Sequence, residues 1–351
     1  MNPIAEPVAS AVRRACALCG KRGEVIHRHQ RDRLFGAAGS WNFRRCADRG
    51  CGLIWLDPLP SAEELKAAYR SYYTHAQTHS ERRGFLGKLL TKMEQEYWSA
   101  EFGYSRGRPS PGRFLGQLLK LFPLRRRAAD GAVRHLRAVP QGCLLDVGCG
   151  SGEWLLSMRK RGWKVFGTDF DQQAVDLAAG SGLDVRCGTL ADLNFAPESF
   201  DAITLSHVIE HVPDPTGTLA ECGRLLKPGG QLVIYTPNGA SLSHRAFKGN
   251  WRGLEPPRHL QIFSAQSLRR VLEQAGFQKI TVRPIVAQSV VYESVMLGWG
   301  YSDFTRSTRR KWTAAGISRL FNLLELCLVA WAPSVADCIN ALAVKEARIG
   351  P

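Results

Sequence analysis

Four cysteines near the start of the chain have the spacing of a structural metal site. Cys16 and Cys19 form a C-x-x-C pair, and Cys46 and Cys51 form a second pair with four intervening residues. Two thiolate pairs can fill all four positions of a tetrahedral zinc ion. No apolar run of signal-peptide length precedes them, so we expect a reducing cytoplasm, where free thiols are the alternative to zinc. We predict a zinc ribbon holding structural Zn²⁺.

A second group of residues follows a short apolar segment in the middle of the chain. The stretch Asp146-Val-Gly-Cys-Gly-Ser-Gly152 is typical of a turn that lets a ligand approach the backbone closely. A helix starting after it would direct free N–H groups at that ligand. Asp169 ends the next predicted strand, where its carboxylate can accept hydrogen bonds from both hydroxyls of a ribose. These residues predict a nucleotide-like ligand without selecting one.

Three histidines are candidates for general base catalysis. His207 and His211 follow the fourth predicted strand, and His259 lies in a later loop. Imidazole can accept a proton near neutral pH, although each ring could instead only hold a loop by hydrogen bonding. We predict His259 as the best single candidate. The stretch from His207 to His211 also matches the zinc-protease motif H-x-x-E-H, but Pro213 and Pro215 prevent the long helix that this chemistry needs.

The elements that must position these residues alternate between strands and helices. Strands are predicted at residues 144–147, 164–169, 184–187, 200–206 and 231–236, with helices between them. This spacing predicts a doubly wound, mostly parallel sheet that binds ligands outside the carboxyl ends of its strands. Residues 279–283 and 338–345 are predicted to close the sheet as an antiparallel hairpin, separated by an apolar insertion at about 285–337.

Charge and hydropathy leave two partners open. The formal net charge is +16, which suits nucleic acid or an anionic membrane but is also typical of a solvated basic surface. Residues 314–332 have apolar side chains at helical spacing, preceded by a basic run at 307–311. We expect this helix to cover the acceptor site or a dimer partner. The alternatives are peripheral membrane contact through residues 307–332 and a membrane span, which Arg319, Asn322 and Glu325 disfavour.

The chain resembles the class I S-adenosylmethionine-dependent methyltransferases. The motifs that carry the resemblance occur in the family's order: Asp146-Val-Gly-Cys-Gly-Ser-Gly152, Gly167-Thr-Asp169, Ser199-Phe-Asp201, His207-Val-Ile-Glu-His211, Leu225-Leu-Lys-Pro-Gly-Gly230 and Thr236-Pro-Asn238. The resemblance implies a Rossmann-like α/β fold with a seven-stranded sheet. A nicotinamide-binding domain is the weaker match, since it expects G-x-G-x-x-G rather than G-x-G-x-G.

The resemblance also assigns the donor, S-adenosylmethionine, to particular residues. It places the methionine moiety at the glycine turn, the ribose at Asp169 and the adenine at the loop after the third strand. Thr189 stands where the family commonly has an acid in that loop, so Leu190 or Asp192 takes the adenine contact. The implied donor-binding residues are Asp146, Gly148, Cys149, Gly150, Gly152, Asp169, Phe170, Leu190, Asp192 and Ser206.

These inferences combine into one expected organisation. We predict a zinc-ribbon module at 1–75, a helical linker at 76–124 and a methyltransferase domain at 125–351. The expected enzyme transfers a methyl group from S-adenosylmethionine to a small-molecule, sugar-linked or lipid-linked acceptor. We expect it in the cytoplasm, with the inner face of the membrane as a peripheral site. Two alternatives stay open: an RNA methyltransferase, and a protein that binds zinc and S-adenosylmethionine without catalysis.

Overall fold

The computed structural model describes residues 12–69, 85–104, 113–301 and 309–346. The chain forms two compact units, the first made of Met1–Tyr73, Leu205–Gly223 and Ile234–Val344, and the second of Thr74–Thr204, Arg224–Val233 and Lys345–Pro351. The boundaries predicted near residues 75 and 125 follow motifs and stay a prediction. Parts of the predicted ribbon module, linker and C-terminal domain lie outside the described residues, as do residues 307–308 of the predicted basic run.

The described residues contain eleven strands and eleven α-helices. The strands are β1 (Gly23–Gln30), β2 (Trp41–Cys46), β3 (Ile54–Asp57), β4 (Cys143–Val147), β5 (Lys164–Asp169), β6 (Asp184–Cys187), β7 (Phe200–Ser206), β8 (Leu226–Pro237), β9 (Gln261–Ile262), β10 (Gln278–Ile285) and β11 (Cys338–Val344). The helices are α1 (Ala62–Tyr69), α2 (Phe85–Phe102), α3 (Arg113–Leu118), α4 (Pro123–Ala132), α5 (Glu153–Arg159), α6 (Gln172–Gly180), α7 (Pro215–Leu225), α8 (Leu242–Phe247), α9 (Ala265–Gln274), α10 (Gln288–Gly298) and α11 (Arg309–Val329).

Seven strands form one mixed sheet in the order β10-β11-β8-β7-β4-β5-β6. Pairing is parallel between β4 and β5 and between β5 and β6, and antiparallel between β10 and β11. Leu144, Leu145 and Ile203 are fully buried, because inner strands of such a sheet are covered on both faces. The predicted doubly wound, mostly parallel seven-stranded sheet is confirmed.

The start of β8 differs from the sequence prediction. A strand was predicted at 231–236, yet β8 already begins at Leu226. The Gly229 amide donates to the Lys345 carbonyl at 3.0 Å, and the Lys345 amide donates to the Gly230 carbonyl at 3.0 Å. These two backbone hydrogen bonds extend the strand through a segment whose proline and glycines indicate a turn.

In the first unit, a second sheet has the order β1-β2-β3-β9. Its first three strands are the predicted ribbon strands. The fourth, β9, comes from a much later segment and pairs antiparallel with β3, with Ile54 opposite Ile262. Eight buried side chains form the core beneath this sheet: Trp41, Phe43, Ile54, Leu56, Trp251, Leu254, Leu260 and Ile262. The loop at 250–260 is therefore packed into the ribbon. The sequence did not predict this connection, because β9 has only two residues.

Helix α11 turns its polar side inward. Ser318, Asn322 and Glu325 are buried on one face, whereas Trp312 and Leu320 are 76% and 72% exposed on another. Among the described residues, the segment Arg310–Val329 is the one helix long and apolar enough to cross a membrane. This distribution is the reverse of what a helix of a soluble domain normally shows.

Candidate functional site

The glycine turn after β4 has a backbone that only glycine adopts easily. Gly148, Gly150 and Gly152 have φ angles of 69°, 54° and 76°. A Cβ atom on Gly152 would lie 2.3 Å from Cδ1 of Leu183. Gly152 is also the N-cap of α5, so the turn opens directly onto the free N–H groups of that helix. The turn thus combines exposed backbone with a helix N-terminus.

Asp169, at the end of β5, is bonded to this turn. Its Oδ2 accepts from the Gly150 amide at 2.8 Å, and its Oδ1 accepts from the Asp171 amide at 3.0 Å. The residue is 5% exposed, and this burial raises the pKa of its carboxyl group. The neighbouring Phe170 side chain is 52% exposed, so an apolar ring lies beside the carboxylate. A carboxylate and an open ring at one edge suit the sugar and base of a nucleoside.

Asp146, at the end of β4, has one oxygen fully bonded and one without a partner. Its Oδ1 accepts from Thr204 Oγ1 at 2.6 Å and from the Arg134 guanidinium. Its Oδ2 is buried and has no hydrogen-bond partner in the described part of the chain. Burial raises the pKa of Asp146, whereas Arg134 acts in the opposite direction. Arg134, which the sequence analysis missed, also lies 3.7 Å above the Trp154 ring.

The remaining predicted donor residues lie in three places. After β6, Leu190 is buried, and the exposed Asp192 accepts from Thr189 Oγ1 at 2.6 Å, a hydrogen bond that lowers the pKa of Asp192. Asp192 is therefore already hydrogen-bonded to Thr189, the residue that stands where the family commonly has an acid. Cys149 belongs to the glycine turn, and the half-buried Ser206 ends β7 in the first unit.

The three predicted histidines surround one buried acid, Glu210. His207 Nδ1 lies 3.2 Å from Glu210 Oε1, and Thr236 donates to Glu210 Oε2 at 3.1 Å. Burial would raise the pKa of Glu210, but the hydrogen bond to His207 and the other two histidines lower it to about 2. One ligand atom from each of Glu210, His211 and His259 lies within 4.8 Å of the others. His207 has φ 55°, an uncommon backbone for a non-glycine residue that is often retained at functional sites.

His211 is the better placed of the two inner histidines for proton transfer. Its Nδ1 is 2.9 Å from the Tyr69 hydroxyl and 3.1 Å from the Arg258 carbonyl. The carbonyl can only accept, so the tautomer with hydrogen on Nδ1 satisfies both oxygens and leaves a lone pair on Nε2. Tyr69 ends α1, and its contact with His211 is absent from any motif.

His259 stands edge-on to His211, with ring centroids 4.7 Å apart. Its Nδ1 donates to the Gly253 carbonyl at 2.8 Å, and its side chain is only 6% exposed. Burial lowers the pKa of His259 to about 4, so the ring is neutral at pH 7. His259 therefore supports the cluster from within, whereas the His207 side chain is 55% exposed.

A buried ion network fixes the loop that carries His259. Arg258 is fully buried and donates to Asp32 Oδ2 at 3.0 Å and to Glu255 Oε1 at 2.9 Å. Arg252 also contacts Glu255. Burial opposes ionisation of Glu255, but Arg252, His259 and Arg258 hold its pKa well below the usual range. The network ties the ribbon's 32–37 loop to the histidine loop within the first unit.

The four predicted cysteine ligands converge. The Sγ atoms of Cys16 and Cys51 are 3.7 Å apart, those of Cys19 and Cys46 are 3.3 Å apart, and all four lie within 4.8 Å of one another. Four Zn–S bonds of about 2.3 Å in a tetrahedron separate the sulfurs by about 3.8 Å. The donor set and its spacing fit a zinc ion closed to other ligands.

Comparisons with known proteins identify relatives of part of the chain. A protein-family profile described as "Methyltransferase domain" matches residues 113–282. The ubiquinone biosynthesis O-methyltransferase of Hahella chejuensis is 40% identical over 158 residues, which cover 43% of this chain and 60% of that protein. The protein of the same name from Cereibacter sphaeroides is 31% identical over 172 residues, which cover 46% of this chain and 68% of that protein. The chain belongs to the class I S-adenosylmethionine-dependent methyltransferases.

Solved methyltransferase structures are also similar to this chain. A methyltransferase from Mesorhizobium loti has 17% identity and a TM-score of 0.44, covering 62% of this chain and 97% of that one. Geranyl diphosphate C-methyltransferase from Streptomyces coelicolor has 15% identity and a TM-score of 0.44, covering 73% of this chain and 98% of that one.

For this methyltransferase, the observed donor turn fits the family's cofactor. Buried Asp146 Oδ2 can accept from an ammonium group, and Gly148, Gly150 and Gly152 add no side chain to the turn. The chain spans 60% of the length of the Hahella chejuensis protein and 42% of the Idiomarina loihiensis one. The cysteine site lies outside residues 113–282, which the family profile matches, whereas the donor turn lies inside them.

Proposed function

We propose that this methyltransferase transfers a methyl group from S-adenosylmethionine to a hydroxyl group of a small molecule. The observation that carries the proposal is the hydrogen bond that the Gly150 amide donates to Asp169 Oδ2. It lies in a turn whose three glycines have positive φ angles. When bound, the cofactor supplies a methyl group on a sulfonium, which is already a good leaving group. The protein must then chiefly align the acceptor and exclude water.

The residues at the turn would hold the donor. Asp169 would accept from the ribose hydroxyls, and Asp146 Oδ2 from the methionine ammonium group. Phe170 would pack against the adenine, with Leu190 and Asp192 at the adenine's edge. The backbone of Gly148, Cys149, Gly150 and Gly152 lines the turn, and Ser206 completes the proposed donor-binding set.

A hydroxyl acceptor loses a proton during transfer, and we propose His211 as the base because its Nε2 carries a lone pair. With the donor bound, the acceptor oxygen would take the methyl group from the sulfonium, S-adenosylhomocysteine would leave, and the hydroxyl proton would pass to the imidazole. Tyr69 and the Arg258 carbonyl hold the ring, buried His259 supports it, and exposed His207 contacts the acceptor. The relatives named above, which are O-methyltransferases of ubiquinone biosynthesis, support oxygen as the acceptor atom.

Methyl-labelled S-adenosylmethionine tests the function directly. Purified protein is incubated with cell extract, which is then divided into polar-metabolite, lipid, RNA and protein fractions. We expect label in the metabolite or lipid fraction, lost in Asp169→Asn but kept in Asp184→Asn, an exposed acid on β6. Label in RNA alone would establish the RNA methyltransferase alternative. Donor binding without any label would establish the non-catalytic one.

Structural zinc is proposed at the four cysteines. Elemental analysis of the purified chain is expected to give about one zinc per chain, and Cys16→Ser to lose most of it. Cys327→Ser, which changes an exposed cysteine of α11, is the matched control. A zinc content unchanged by Cys16→Ser would show that these cysteines do not bind the zinc.

We also propose peripheral membrane contact through residues 307–332, with a lipid-linked acceptor as the corresponding substrate class. Trp312 and Trp331 are 76% and 90% exposed near the two ends of α11, and Leu320 is 72% exposed between them. Arg310 and Arg319 are exposed on the same helix. Tryptophan at the edges of an apolar face and nearby arginines suit an anionic lipid surface.

Sedimentation with lipid vesicles tests this contact. We expect binding to vesicles containing phosphatidylserine, at least tenfold less binding to pure phosphatidylcholine, and loss of binding in Trp312→Ser/Leu320→Ser. Arg283→Gln on β10 is a control for charge. If light scattering shows a dimer and the protein does not bind vesicles, the exposed face of α11 contacts a second copy of the chain and not a membrane.

A further inference from the structure

Four basic side chains of the first unit gather near the start of α8. Arg45 comes from β2, His27 from β1, and His244 and Arg245 from α8. Arg45 Nη2 lies 3.5 Å from the Gly239 carbonyl oxygen, and His244 Nδ1 lies 2.8 Å from the same oxygen. His27 Nε2 is 2.8 Å from His244 Nε2, and Arg245 donates to the Ser241 carbonyl at 3.3 Å. Groups from three separate elements are thus linked through neutral acceptors.

Hydrogen bonding fixes which of these groups can face a ligand. The Gly239 carbonyl accepts from His244 Nδ1–H, so His244 Nε2 accepts in turn from His27. His244 is 3% exposed and stacks on Trp251, with ring centroids 4.5 Å apart. His244 is therefore the support. Arg45, Arg245 and the outer nitrogen of His27 are the groups that remain for a ligand.

No carboxylate balances this charge among the residues the structure describes. The hydrogen bonds of Arg45 and Arg245 go to the carbonyls of Gly239 and Ser241, and neither arginine forms an ion pair there. Burial lowers the pKa of His27, with Arg45 acting in the same direction. The positive groups thus repel one another in partly dehydrated surroundings.

The contrast with Arg258 shows that this chain does pair its buried arginines elsewhere. Arg258 has two carboxylate partners, Asp32 and Glu255. Arg45 is half-buried and has none in the described part of the chain. Like charges gathered without a counter-charge destabilise a fold, unless an anion occupies the position.

We infer that Arg45, Arg245 and His27 form a binding site for the phosphate group of a small-molecule ligand. Two guanidinium groups present several N–H donors in fixed planes, which match the oxygens of a phosphate. His27 can take up a proton as the anion binds and add a third charge-assisted hydrogen bond. The site does not depend on methyl transfer, because its ligand can be bound without the donor.

Thermal unfolding of the full chain in potassium phosphate and in potassium chloride of equal ionic strength tests the site. At ten times the Kd of phosphate, we expect the unfolding midpoint to rise by about 3 °C. Arg245→Gln changes an exposed side chain, so it should fold normally and bind phosphate at least tenfold more weakly. Arg45→Gln should do the same. Arg49→Gln, on the exposed second knuckle of the ribbon, is the matched control and should retain the full rise.

Histidine NMR gives a second readout that a general salt effect does not produce. Phosphate is expected to raise the pKa of His27 by about one unit and leave that of exposed His29 unchanged. Equal stabilisation by chloride and phosphate, or a full phosphate effect in Arg245→Gln, would overturn the inference. Because no donor is added, a negative result here leaves the proposed methyl transfer intact, and a failed methyl-transfer assay leaves this site intact.

Discussion

The donor turn and the histidine cluster are built in opposite ways. The donor turn takes its backbone from one stretch, residues 146–152, and adds a single carboxylate from the next strand. The histidine cluster takes Tyr69, His211 and His259 from three separate segments, and its supporting network takes Asp32 from a fourth. A local turn needs only correct residues at close spacing. A cluster assembled from distant segments also needs every intervening element in place, so mutations far along the chain can disturb it.

Arg258→Met should show the largest effect, because it removes the centre of the network beneath the histidines. Asp32 and Glu255 would each lose a buried partner. We expect the free energy of unfolding, measured with urea, to fall by about 3–5 kcal/mol. Arg49→Met, an exposed arginine, should change it by less than about 0.5 kcal/mol. A loss under about 1 kcal/mol for Arg258→Met would show that the cluster tolerates an incomplete network.

Acid should weaken the cluster before it affects the donor turn. The pKa of His259 is about 4 in the folded chain and 6.5 ordinarily, so the unfolded chain binds the proton first. The stability from His259 is complete above pH 6.5 and is lost as the pH falls to 4, by about 3 kcal/mol. His259→Gln should flatten the urea-denaturation profile over this window. His29→Gln, at an exposed histidine, should leave the profile unchanged.

Gly152→Ala tests the donor turn itself. A Cβ atom there would meet Leu183 at 2.3 Å, on a backbone with φ 76°. We expect binding of S-adenosylhomocysteine, measured by calorimetry, to weaken by about 30-fold, equivalent to about 2 kcal/mol. Gly180→Ala is the matched control, since no atom lies within 4 Å of its added Cβ. Equal affinities for the two variants would mean that the turn adapts.

Tyr69→Phe should have the smallest effect and would separate the two regions by kinetics. It deletes one hydroxyl, 2.9 Å from His211. We expect kcat to fall about fivefold, near 1 kcal/mol, and its pH profile to shift, with the KM for S-adenosylmethionine unchanged. Tyr104→Phe removes a comparable hydrogen bond, to Trp163, in the second unit and should not alter the profile. A changed donor KM with an unchanged pH profile would contradict the positioning role of Tyr69.

The same contrast explains how much the sequence could predict. The seven-stranded sheet follows from the alternation of apolar runs and helices, and the donor turn follows from glycines at alternate positions. The cysteine pairs were also recognisable, because each pair is local. These features depend on short-range spacing, which a sequence displays directly.

The missed features depend on contacts between distant residues. No pattern connects Tyr69 with His211, or Asp32 with Arg258, until the chain has folded. Strand β9 has two residues, too few for any periodicity. The inward polar face of α11 was also hidden, since helical spacing alone does not say which side faces the protein. Helix formation was correctly predicted there, but orientation depends on tertiary packing.

The pairing of β3 with β9 has a consequence for synthesis of the protein. Ile54 cannot meet Ile262 until the later segment has left the ribosome. At about 5–20 residues per second, the finished ribbon strands wait on the order of tens of seconds for their fourth neighbour. During that interval the edge of β3 and the apolar face beneath it lack their final cover. Early zinc loading at the cysteines would hold the nascent strands together until then.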